Sequence, residues 1–170
     1  MKRLFLYFFL LLPLAATAAA PEGRVPKTRI SSFISEYRHC EGVEVVRLGR
    51  VSTAALKGVI RVAARKENDP DARDFLKLMR NVNGLYVFDY EDCRPALRDK
   101  INRRLNRLLN NSDLLMEAND EGERMQIYGL YDERTEAVRD FVLFSPSDCA
   151  LVCLFGSIPM DTVSSMLKKK

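Results

Sequence analysis

The chain has a single histidine, His39, and it stands beside Cys40. A thiol nucleophile with an imidazole base is the chemistry that pairing suggests. Neighbours on a helix point about 100° apart, which turns the imidazole away from the adjacent thiol. A helix-end surface histidine is therefore expected, not a dyad. The four cysteines are Cys40, Cys93, Cys149 and Cys153. Cys149 and Cys153 fall in a segment that reads as a strand, about 13 Å apart at about 3.3 Å per residue. That exceeds the roughly 4.4–6.8 Å between Cα atoms that a disulfide spans. Two alternatives stay open. One is a bridge joining Cys40 or Cys93 to a strand cysteine, or Cys40 to Cys93, worth about 4 kcal/mol if long-range. The other is Cys149 and Cys153 as small core residues. No Cys-x-x-Cys or Cys/His spacing suits zinc.

Carboxylates gather at Asp89, Glu91 and Asp92, a composition that suits calcium or acid/base work. A helix start just after them explains them more simply, with Asp92 as its cap and Pro95 at an early helical position. Glu117, Asp120 and Glu121 read as surface acids of a hairpin. The chain has no G-x-S-x-G elbow, phosphate-binding loop, G-x-G-x-x-G or H-E-x-x-H. No catalytic residue, cofactor-binding residue or metal ligand is assigned, and no cofactor is expected. The enzymatic alternative is a site assembled from scattered acids and tyrosines such as Asp89, Tyr90 and Tyr128.

The elements that would position these groups follow from periodicity. Ile30, Phe33, Ile34 and Tyr37 form the apolar stripe of a helix with Thr28 as its cap. Val43 to Leu48 reads as a strand. Ser52 or Thr53 caps a helix that turns Leu56, Val59, Ile60 and Ala63 inward, and Asp69-Pro70 interrupts it before a second helix reaching Met79. Asn83-Gly84 leads into a strand over Leu85 to Phe88. A helix then buries Leu97, Ile101, Leu105 and Leu108 and turns Arg94, Arg98, Arg104 and Arg107 to water.

Beyond Leu114 the pattern is strand and turn: Leu114–Ala118, Met125–Tyr131, Val138–Phe144 and Ala150–Phe155. The first turn is at Gly122. The last strand is apolar on both faces and belongs inside the sheet. Pro159 opens a terminal helix. The expected fold class is α+β: an antiparallel or mixed sheet with a C-terminal four-strand meander, helices packed on the sheet.

Residues 1–20 read as a cleaved signal peptide. Lys2 and Arg3 precede an uncharged run from Leu4 to Leu14, about 16 Å of helix against a hydrocarbon core of about 30 Å. Ala16 and Ala18 supply the A-x-A pattern for signal peptidase, with cleavage after Ala18 or Ala19. Residues 21–27 read as a linker and 28–168 as a single domain. Without the leader, 25 basic residues face 23 acidic ones, a net charge near +2. That balance gives no reason to expect a nucleic-acid partner. The basic faces of the 53–66 and 94–110 helices read as solvated, and membrane contact is expected only through the transient leader.

Leu114-Leu115-Met116-Glu117-Ala118, the Gly122 hairpin, Met125-Gln126-Ile127-Tyr128-Gly129, Asp140-Phe141-Val142-Leu143 and Ala150-Leu151-Val152 form a series. With Gly42-Val43-Glu44-Val45-Val46 after an amphipathic helix, the chain resembles the bacterial family called domain of unknown function 4252 over roughly residues 30–167. The resemblance implies a small exported α+β protein of a family whose known members include lipoproteins, and it carries over no functional residue. No cysteine near residue 20 offers a lipid attachment point, so a soluble periplasmic or secreted product is expected. The function expected is an uncharacterised, non-enzymatic envelope module that binds another envelope protein or a small apolar ligand between its sheet and helices.

Overall fold

In the computed structural model, residues 23–67, 76–120 and 123–162 are described. The leader with Ala16 and Ala18, the Asp69-Pro70 break, the Gly122 turn and the terminal residues 163–168 lie outside them.

Helix α1 (Lys27–Tyr37) buries all four residues of its predicted stripe. It starts directly behind Pro26 with no side-chain cap, so Thr28 lies within the helix and does not cap it. Strand β1 (Glu44–Leu48) follows. Helix α2 (Arg50–Glu67) begins ahead of the predicted Ser52 or Thr53 cap. The Thr53 amide already bonds the Gly49 carbonyl at 2.8 Å, and its hydroxyl reaches back to the Leu48 carbonyl instead of capping an N–H. A short 3₁₀ turn (Met79–Asn81) leads into β2 (Val82–Asp89), which absorbs Asn83-Gly84 into the strand.

Helix α3 (Pro95–Leu109) has proline at its first position, as expected, but Arg94 holds the cap position and no acid lies in its first turn. The predicted capping role of Asp92 is therefore wrong. Asp89 folds the acidic run back on itself, its carboxylate accepting the Glu91 amide at 2.9 Å. Arg104 also departs from expectation. It stacks on Phe33 and Tyr37 and bonds the Tyr37 hydroxyl at 2.8 Å and Glu36 at 2.9 Å, a bond that holds the Glu36 carboxyl below the usual range.

The meander runs β3 (Leu114–Asp120), β4 (Glu123–Asp132), β5 (Ala137–Ser145) and β6 (Ala150–Pro159). The six strands form one antiparallel sheet in the order β1-β2-β6-β5-β4-β3, with β6 inside it as its two apolar faces require. Pro159 ends that strand and does not open the helix, which starts at Met160. Cys149 precedes β6, in the turn with φ 53°, so the strand spacing assumed for Cys149 and Cys153 does not apply.

Helices α1 and α3 cover one face of the sheet. Phe33 meets Phe88 edge-on at 5.7 Å, and Ile30, Ile101, Leu105, Val142, Phe144 and Leu151 expose no surface. Each such side chain contributes about 1.5–3 kcal/mol. A smaller cluster of Leu78, Met79, Val82, Val138, Leu154 and Ile158 packs together on the opposite face. Gly23 is bound on both sides, to Asn111 and Asp113, and Val25 is buried, so this part of the predicted linker is seated on the domain.

The pairing is irregular at one level across the sheet. Register slips occur at Leu114/Met116, Tyr128/Leu130, Arg139/Phe141 and Val82/Gly84. Extra residues of this kind bend a strand and increase its twist, so adjacent slips crease the sheet from β3 to β2, while the β1–β2 pairing runs without one.

Candidate functional site

Three of the four cysteines converge at one end of the sheet, while Cys153 sits alone in the core. The Cys93 thiol lies 3.4 Å from the Glu41 carbonyl, one residue from Cys40. Burial, with the nearby Cys40 and Cys149, pushes it above the usual thiol range. Burial raises Cys149 and Cys153 as well. All four are free thiols. His39 is exposed and accepts from Arg38 Nε at 2.9 Å, which directs it away from thiol chemistry.

Asp89, Tyr90 and Tyr128 are held in separate settings. Asp89 closes its own turn. Tyr90 is wholly buried and donates its hydroxyl to Asn102, and burial lifts its ionisation well above the ordinary tyrosine value. Tyr128 lines a cleft that neither of the other two reaches. Among the described residues no group of three or more His, Cys, Asp or Glu could hold a metal ion.

That cleft, about 480 Å³, lies between the end of α3 and the β3–β4 hairpin on the helix-bearing face. Two elements build it. Asn106 and Asn110 stand one turn apart at the end of α3, and Ser112 follows where the Ser112 amide bonds Leu109 O at 2.8 Å and Gly23 pairs alongside. Gln126 and Tyr128 project from β4 on one side of the strand, because alternate residues share a face. Arg124 closes the rim, its guanidinium 2.6 Å from the Glu117 carboxylate on β3.

The chemistry of the cleft is set by what is left unbonded. Gln126 is 4% exposed, and its Oε1 is sealed from solvent with no hydrogen-bond partner among the described residues; the Ser112 hydroxyl is in the same state. A buried orphan of this kind costs about 1–3 kcal/mol, so the Gln126 carboxamide gains a hydrogen bond if it turns into the cleft it lines and meets a ligand's polar group there. Tyr128 is raised by burial, eased by Arg124 and reinforced by Glu117, so its hydroxyl stays a neutral donor beside that ion pair.

The sequence reading singled out Tyr128 and Glu117 but missed Gln126, Ser112 and the two asparagines. The available signal was Gln126 sharing strand parity with Tyr128, a polar side chain on the face that must be buried.

A family model described as Domain of unknown function (DUF4252) matches residues 40–166, from the turn before β1 to beyond β6. No curated protein and no solved structure matches the chain. Among the described residues no helix is long and apolar enough to cross a membrane. The family match takes in all six strands, α2, α3 and every cleft residue, and on that span the chain belongs to the DUF4252 family.

Proposed function

We propose that this protein is an exported, non-enzymatic binding module of the cell envelope, and that the cleft between α3 and the β3–β4 hairpin receives its ligand. The observation that carries the reading is the Gln126 Oε1, a buried amide oxygen without a hydrogen-bond partner among the described residues, on a side chain lining a roughly 480 Å³ cleft. That volume lies within the usual range of small-ligand sites, about 300–1,000 Å³. The lining favours a polar occupant over an apolar one. The Asn106 and Asn110 amides, the Tyr128 hydroxyl and the Arg124–Glu117 pair supply both donors and acceptors, which suits a saccharide. Export is supported by the basic start, short apolar run and Ala16-x-Ala18 of residues 1–20.

The test uses ¹⁵N-labelled protein recovered from the periplasmic fraction, its mass reporting cleavage after Ala18 or Ala19. Titration with chitotriose and maltopentaose should shift the Gln126 side-chain amide and the Ser112 and Tyr128 backbone amides, and Gln126→Leu should abolish the response. Unshifted cleft signals with both sugars, or an uncleaved chain confined to the cytoplasm, would refute the corresponding half of the proposal.

A further inference from the structure

A second cleft, of about 390 Å³, opens on the helix-bearing face where the crease crosses β2 and β6. Its floor is backbone, at Gly84 and Gly156. Its walls are the Tyr86 and Phe155 rings, edge to face at 5.1 Å between centroids. Cations surround it. The Arg47 guanidinium lies 4.7 Å from the Tyr86 centroid, and Lys27 Nζ lies 5.1 Å from that of Phe155. Arg50 lines the mouth and has no ion-pair partner among the described residues.

Among the described residues one carboxylate pairs with these cations, and only with Lys27. Asp140, at the slip in β5, is 5% exposed at its side chain and sits 2.6 Å from Lys27 Nζ and 3.7 Å from Arg24 Nε. It also accepts the Gly156 amide at 3.4 Å. Its φ of 56° is a left-handed conformation, uncommon outside glycine and held only where the surroundings demand it.

We infer that this crease is a binding site for a small aromatic carboxylate, gripped by Arg50 and Lys27 and laid against the touching Tyr86 and Phe155 rings, with Asp140 competing for Lys27. Cations above low-dielectric aromatic walls focus a positive potential into the cleft. The rings call for an apolar, planar body on the anion. Arg50 is one unpaired fork, and a guanidinium fork matches one carboxylate. The buried Asp140 charge repels a second negative charge, which disfavours a phosphate dianion. This site shares no residue with the cleft at α3 and stands independently of it.

Benzoate is the probe, with acetate and inorganic phosphate as comparators at constant ionic strength, followed through the Gly84 and Gly156 amide signals of the ¹⁵N-labelled protein. Benzoate should shift both signals saturably and bind more tightly than either comparator. Arg50→Gln, at an exposed position, should weaken it about tenfold. Asp140→Asn should tighten it about threefold, because it frees Lys27. Asparagine tolerates the left-handed backbone, and Lys27, 41% exposed at its side chain, is not stranded by the change. The inference is overturned if the two glycine signals do not respond to benzoate, if phosphate binds equally well, if Arg50→Gln binds unchanged, or if Asp140→Asn gains nothing.

Discussion

Alanine at Gly156 should destabilise the domain by about 2–6 kcal/mol, while alanine at its neighbour across the crease, Gly84, should leave stability within about 1 kcal/mol. Gly156 has φ 142°, and a Cβ there would stand 2.2 Å from the Asn81 carbonyl oxygen and 3.0 Å from Val82 Cα. Both obstacles are backbone, so they yield only if β6 moves away from the start of β2. The conformational part costs about 1–3 kcal/mol and the forced separation another 1–3, which together set the range. At Gly84 the same Cβ would meet the Leu48 carbonyl and Phe155 Cδ2 at 3.6 Å, ordinary contacts at an ordinary backbone angle. There the stiffer unfolded chain favours alanine by about 0.4–1 kcal/mol. The chain has no tryptophan, so urea unfolding is followed by far-UV circular dichroism, with the slope of each curve checked for constancy. Gly156→Ala losing less than about 1 kcal/mol, or Gly84→Ala losing as much as Gly156→Ala, would refute the geometry of the crease.

The remaining predictions concern the buried ionisable groups. Tyr90, Tyr128, Cys93, Cys149 and Cys153 all ionise above their ordinary values, chiefly through burial. The stability they contribute is therefore full below the unfolded values of about 8.5–10 and is lost as pH rises beyond them. The urea midpoint should fall between pH 7 and about 10.5, with Tyr90→Phe flattening part of the slope; a midpoint constant to about pH 11 would contradict this. Iodoacetamide should label half-buried Cys40 before Cys93, Cys149 or Cys153, because thiolate and access are both needed. Peptide mapping that finds Cys153 labelled as fast as Cys40 would show that the core is not closed.

Much of the architecture could be read from local pattern. The stripe at Ile30, Phe33, Ile34 and Tyr37, the four meander strands and the interior place of β6 all follow from which face of an element must be apolar, a property written along the chain. Element boundaries were less legible. Thr28, Thr53 and Asp92 each have a capping side chain, yet helices start at Lys27, Arg50 and Pro95. Backbone bonds and proline geometry decided those starts.

The sites divide in the same way. Sequence alone identified the family and the strands that carry Tyr128 and Asp140. Tertiary structure alone brought the end of α3 against the β3–β4 hairpin around Gln126, whose Oε1 has no partner among the described residues, and set Lys27 against Asp140, more than a hundred residues away. Periodicity records whether a side chain faces inward. It does not record which partner it meets there, because strand register, the slips that crease the sheet and helix docking are settled by long-range pairing that no local window contains.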